Sequence, residues 1–481
     1  MRKFTSILVP GFVLALAATA AAQEKPVTTT KDMTDTVKVT VQGNVVLDYV
    51  WRGRELAAFK APYGPEDTNS FEGEIGLRFN VDLSDKVSAV VEFGKERVDD
   101  IGPGPGGSGG QVLPFLGDDQ TDFQTIVLRE LHVNIAEFLD PSLRLQVGIT
   151  TWSFDVRGRG SSFAFDPRHS QEFARNVSNV EDGAGSLAVR GVADELDPVG
   201  GWLQYKRDAL LVDVVFLPMV VEGGEPQQDE ALYAVDFFYN LDDKGSRVGA
   251  ILALSTFGDT PLVSGSDTSI FTLGGGATLR NLVPNLELYG EVYFQFGNAG
   301  TIGGDSIDAG GIAFQVGALY QLEGDLAPWV GANITWISGD GDDDPTDDEV
   351  GNFLSYENVN DLLILEDMYF GYDWDTNYFA IKLSGGLALS VGGGKNNLEL
   401  SAILGITRTV EDVQFASGGE DGLGNELDVK ARWILTKQAS LHGAIAFLFS
   451  SDVVEQSMED LGISNPDDGA ILYTIGADLR F

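Results

Sequence analysis

Between Ile471 and Phe481 the sequence changes solvent at nearly every residue. Ile471, Tyr473, Ile475, Ala477, Leu479 and Phe481 share one parity, while Leu472, Thr474, Gly476, Asp478 and Arg480 share the other. Successive side chains of a strand point to opposite faces, so this stretch predicts a strand with one apolar and one polar side. Its 11 residues match what a tilted strand needs to cross a bilayer. Such a strand cannot stand alone in hydrocarbon, because each unpaired N–H or C=O there costs several kcal/mol (roughly). The sheet has to close on itself, and the last strand has to find the first.

The same texture starts at Val37, where Val39, Val41, Val45, Leu47, Tyr49 and Trp51 alternate with Lys38, Thr40, Gln42, Asn44, Asp48 and Arg52. A lysine near the bilayer midplane costs about 2–4 kcal/mol, so the polar parity is expected to face a lumen. Alternation returns at 71–83, 143–150, 286–294 and 427–433. The connections between these runs alternate in length. Short ones fall near Ser84, Asp140-Pro141, Arg207-Asp208, Asp242 to Gly245, Val283-Pro284, Gly324-Asp325, Gly392 to Lys395 and Lys437-Gln438. Long ones span 53–70, 100–121, 154–200, 218–230, 258–269, 297–311, 339–375, 411–424 and 451–469. Eight short and nine long connections predict an all-β fold, a transmembrane antiparallel β-barrel of about 18 strands with both termini on the short-turn side. Leu187 to Arg190 would be an additional strand inside the longest connection. Trp51, Trp152, Trp336, Tyr378, Phe379, Phe447 and Phe481 are expected at strand ends, in aromatic girdles.

Met1-Arg2-Lys3, an apolar run from Ile7 to Ala18 and Ala20-Ala21-Ala22 have the three-part form of a secretory signal peptide. The expected organisation is a signal peptide over 1–22, a flexible periplasmic lead-in over 23–35 and a barrel over 36–481. Export in this form implies the outer membrane of a Gram-negative-type bacterium, with lipid and lipopolysaccharide as surroundings. The formal charge of −42 argues against a nucleic-acid partner. Inward basic and acidic positions of the strands nearly balance, which assigns most of the acid to loops. The chain has no cysteine, which removes disulfides and thiolate metal sites.

Gly104-Pro105-Gly106-Gly107-Ser108-Gly109 has dinucleotide-fingerprint spacing but follows no buried parallel strand and reads as a loop tip. His132, His169 and His442 are scattered and build no catalytic constellation, so no enzyme and no cofactor are expected. Two loops carry site candidates. Asp340, Asp342, Asp343, Asp344 and Asp347 lie in an acidic stretch, read as a solvated extracellular loop or as a weak Ca²⁺ site, since hard cations take clustered carboxylates. Arg157, Arg159 and Arg168 lie in a long loop that either is solvated with local ion pairs or folds inward. In the second case, with Arg78 and Arg144 from the wall, they would form a lumen constriction of guanidinium forks for anionic or hydroxylated solutes.

Ser338-Gly339-Asp340-Gly341-Asp342-Asp343-Asp344 after a strand, followed by Asp347-Asp348 and Phe353, resembles the Ser-Gly-Asp loop of the alginate-export family of outer-membrane porins. Gly424-Asn425-Glu426-Leu427-Asp428 opening a hairpin toward Leu441, and Phe154-Asp155-Val156-Arg157, are similar to further segments of that family. The resemblance implies an 18-stranded barrel carrying anionic polysaccharide or related organic solutes. The residues point to passive transport of hydrophilic solutes. The alternatives are a cation-leaning diffusion porin, or a surface barrel whose acidic loops bind divalent cations.

Overall fold

The computed structural model describes the barrel strands, the turns between them, loop segments 152–158, 162–165, 351–355, 361–367 and 409–423 in part, and helix 452–460. Residues 1–22, Leu187 to Arg190 and the glycine-rich segment 104–109 lie outside the described residues.

Twenty-one strands share one sheet. Three of them, Val27–Thr29, Asp305–Ala309 and Glu349–Val350, are short additions, and 21 less 3 leaves 18 barrel strands among the described residues. In chain order they are β1 Val37–Arg52, β2 Thr68–Asp82, β3 Val87–Lys95, β4 Val127–Ala136, β5 Leu143–Ile149 and β6 Val199–Arg207. Next come β7 Leu210–Pro218, β8 Ala231–Asn240, β9 Arg247–Phe257, β10 Thr268–Arg280, β11 Leu286–Ile302 and β12 Ile312–Gln321. The chain ends with β13 Trp329–Ile337, β14 Tyr378–Leu389, β15 Leu398–Arg408, β16 Gly424–Ile434, β17 Ala439–Phe449 and β18 Ala470–Arg480. Every neighbouring pair is antiparallel, and β18 returns to β1 with Asn44 opposite Arg480 and Arg52 opposite Leu472. The sheet thereby has no free edge strand among the described residues, as hydrocarbon requires.

The eight short and nine long connections fall where the alternation breaks. Within the expected lead-in, Val27–Thr29 pairs with Val37 to Val39 as a stub beside β1. The tightest turn is Asp208-Ala209, with Asp208 at φ 53°, a left-handed conformation that aspartate tolerates.

Period two sorts the two faces. On β8, Tyr233, Val235, Phe237 and Tyr239 point outward and are exposed, whereas Leu232, Ala234, Asp236 and Phe238 are buried. Apolar residues thus occur on the inner face too, at Val215, Leu217, Leu232, Ile251, Ile270 and Tyr293. An inward apolar patch in a water-filled tube needs a cover. Two of the expected girdle aromatics face the barrel interior and not the membrane interface, Trp152 in the covering loop and Tyr378 at the start of β14. Trp152 and Tyr378 are buried inside, where Trp152 Nε1 donates to Asp236 Oδ2 at 3.0 Å and Tyr378 OH donates to Glu366 Oε1 at 2.7 Å.

Candidate functional site in the lumen

The cover over β7–β12 comes from the long connection after β5. Its segment 152–158 runs down the inner wall, with Phe154 stacked on Phe238 at 5.1 Å between centroids and edge-on to Tyr293 at 6.2 Å. On its return, Ser162 Oγ donates to Glu291 Oε2 at 2.8 Å and also meets Tyr293 OH at 2.7 Å. The same oxygen accepts the N–H groups of Ala164 and Phe165.

Near the short-turn rim two wall arginines converge on this segment, and its own Arg157 reaches back to the wall. Arg247 Nε donates to the Val156 carbonyl at 2.6 Å, and its guanidinium also reaches the Asp155 carbonyl. Arg280 Nη2 donates to the Arg157 carbonyl at 2.7 Å while its Nε donates to Glu287 at 3.0 Å. Arg157 lies 3.6 Å over the Tyr289 ring and 3.6 Å from Glu287. A guanidinium that stacks on a ring and pairs with a carboxylate holds the loop to the wall.

The structure therefore separates the candidate arginines. Arg157 is against β10 and β11. Arg78 on β2 pairs with Glu92 at 3.0 Å and Glu130 at 2.8 Å. Arg144 on β5 donates to Asn134 at 2.9 Å and lies 5.7 Å over Trp202. Arg78 and Arg144 flank the buried ring of His132, within electrostatic reach of it, and do not meet Arg157. Arg159 and Arg168 lie outside the described residues.

A second inserted segment, 361–366, lies in the long connection after β13, which the sequence predicts only as an acidic loop. Its Leu362, Ile364 and Leu365 are fully buried, and five consecutive N–H groups are taken up by carboxylates. Glu366 Oε2 accepts from Asp361 and Leu362 at 2.8 and 2.9 Å. Asp428 accepts from Leu363 at 3.0 Å, and the two oxygens of Glu426 accept from Ile364 and Leu365 at 2.6 and 2.9 Å. Lys382 on β14 ties the set together, reaching Asp361 at 2.8 Å and Glu366 at 2.9 Å. Lys382 beside Asp361 holds that carboxyl down at about 2, overcoming the opposing effect of desolvation. Burial lifts the carboxyl of Glu366 above its ordinary value, and Lys382 pulls it part of the way back. The signal that could have found this segment is Leu362-Leu363-Ile364-Leu365, an apolar run inside an otherwise acidic loop. The first inserted segment also meets the stretch 351–355, where Ser355 Oγ donates to the Ala164 carbonyl at 3.4 Å.

Of the acidic-loop candidates, Asp340 accepts the Gly351 N–H at 3.4 Å. Asp342, Asp343, Asp344 and Asp347 lie outside the described residues. Among the described residues no three His, Asp or Glu side chains converge as a metal site.

Among the described residues, the two inserted segments pack on β7–β16. From β16 across the closure to β6, the inner wall is apolar and buried toward the long loops, at Val50, Ala446, Leu448, Ala470 and Leu472, and polar toward the short turns. It carries Arg432 paired with Asp478 at 3.6 Å, Arg480 paired with Asp478 at 2.9 Å, and His442 Nε2 against Asp48 Oδ1. Gln42, Asn80 and the Arg78 pairs continue it onto β3 and β4. The chain resembles Pseudomonas aeruginosa OccK10 (OpdN), with a TM-score of 0.51 and 12% identity over 92% of this chain and 99% of that one. The fold is that of an outer-membrane porin. Pseudomonas aeruginosa OccK8 (OprE) is similar at a TM-score of 0.50 and 9% identity, over 92% of this chain and 98% of that one. No protein-family model matches the sequence, and no curated protein does. The resemblance to alginate-export porins thus stands at the coarser level of the outer-membrane porin fold.

Proposed function

We propose that the chain forms a passive, water-filled channel for hydrophilic solutes in the outer membrane of a Gram-negative-type bacterium. The observation that carries this reading is the division of the inner wall. Two inserted segments cover β7–β16, while the short-turn half of the wall from β16 to β4 keeps partly exposed charged and amide side chains, Arg432, Arg480, Gln42, Asn80 and Arg78, facing the interior. A barrel of 18 strands is wide enough to leave such a path open. The test is single-channel conductance of the purified protein in planar bilayers. Discrete, voltage-independent current steps are expected, and a membrane that stays silent after verified insertion refutes the channel.

A competing, narrower reading, passage of anionic saccharides of the alginate kind, rests on Arg144 alone. Its side chain is exposed and, among the described residues, meets no carboxylate. Chloride-over-potassium selectivity that is lost in Arg144→Gln would support it.

A further inference from the structure

Building on the channel reading, we propose that the polar short-turn half of this wall selects neutral, polyhydroxylated solutes over anions, because its exposed guanidinium groups at Arg78, Arg432 and Arg480 are already matched to carboxylates. Arg78 is shared between Glu92 and Glu130 at 3.0 and 2.8 Å. On the other side of the closure, Asp478 is shared between Arg432 and Arg480 at 3.6 and 2.9 Å. The arginines remain partly open to the lumen, with side-chain exposures of 34%, 45% and 65%, while their carboxylates are at 17%, 16% and 11%. The acids are held back in the wall, and the bases present their remaining N–H groups to the water.

That asymmetry decides what the wall can bind. A solute carboxylate has to displace Glu92, Glu130 or Asp478 to gain a bidentate grip. Doing so strands a mostly buried charge without its partner, a costly exchange. A hydroxyl group displaces nothing. It accepts from an unused N–H of arginine, which has five, and donates to a spare lone pair of the neighbouring carboxylate. A polyol therefore finds donors and acceptors side by side from β16 to β4, and successive hydroxyls can step along this wall. Arg144, which lies over Trp202, is the exception on this wall and provides a planar surface with one unmatched charge.

The experiment is swelling of proteoliposomes in isotonic glucose or sodium gluconate, solutes of closely similar size that differ in charge. Wild-type protein is expected to pass glucose faster by about threefold or more. The doubly substituted Glu92→Gln, Glu130→Gln protein frees Arg78, and gluconate entry is expected to rise by about threefold while glucose entry is unchanged. Arg432→Gln, Arg480→Gln serves as the second variant, which removes base instead of acid and is expected to leave the glucose preference in place. Gluconate entering wild-type vesicles as fast as glucose overturns the inference, and so does a double variant with an unaltered ratio. No swelling with either solute refutes the channel reading itself, so the two failures are told apart.

Discussion

Lys382 and Glu366 form an ion pair at 2.9 Å between a strand and an inserted loop, and both side chains are withdrawn from water. The pair makes the lumen narrower than the barrel alone would be, since it fastens segment 361–366 across the inner faces of β13–β16. Its consequence is that the shape of the pore depends on buried charges, and single substitutions can alter it.

Replacing Lys382 by methionine leaves Glu366 and Asp361 without their cation. Removing one partner of a buried pair costs about 3–5 kcal/mol, so the segment is expected to undock while the barrel survives. Planar-bilayer recordings should show larger conductance with more flicker noise. Unchanged current steps and an unchanged noise spectrum would count against the latch.

Acid should loosen the same latch. The folded carboxyl of Asp361 sits at about 2, below the ordinary value near 4 for aspartate. A depressed carboxyl contributes stability above its unfolded value and loses it as pH falls through the folded one. The loss is therefore expected between about pH 4 and about pH 2. Glu366 acts in the opposite sense, since burial favours its protonated form, so the effect is read by difference. Pepsin nicking within Leu362 to Leu365 should accelerate over that window in wild type and lose this acid-dependent step in Asp361→Asn. Superimposable profiles would contradict the assignment.

Trp152→Phe removes the only indole N–H donor to Asp236 among the described residues. Leaving a buried carboxylate oxygen unsatisfied costs about 1–3 kcal/mol. The first inserted segment is expected to lose protection in hydrogen exchange at 152–158 while the strands keep theirs. Equal protection in both proteins would dismiss this contact as an anchor.

Gly476 lies beneath the pair that His442 makes with Asp48. A Cβ there would come within 1.9 Å of Asp48 Oδ1 and 2.6 Å of His442 Nε2. Gly476→Ala should destabilise the barrel by about 1–3 kcal/mol, read as a lower urea midpoint. The strain should be partly relieved in Gly476→Ala, His442→Ala. A midpoint equal to that of wild type would show that the pair yields at no cost.

The strand count, the turn alternation and the meeting of β1 with β18 were legible because each rests on local information. A period of two reports two solvents, and the closure demand follows from the backbone alone. Ile471 to Phe481 therefore predicted its own outward and inward faces. Trp152 and Tyr378 were misassigned to the girdle because an aromatic near a strand end has the same local pattern whether it faces lipid or a folded-back loop. The acid-rich setting of Leu362 to Leu365 likewise concealed a buried segment.

The sequence by itself determined a closed tube with an apolar exterior, because hydrogen-bond closure and the hydrocarbon boundary act on every strand in the same way. Only the tertiary structure decided where the tube stays open. That outcome depends on which loop covers the inward Leu232, Phe238 and Ile251, and on which carboxylate reaches Arg78, Arg157 and Lys382 first. Such pairings depend on which side chains the folded-back loops and neighbouring strands bring together, and the period-two pattern carries no information about that.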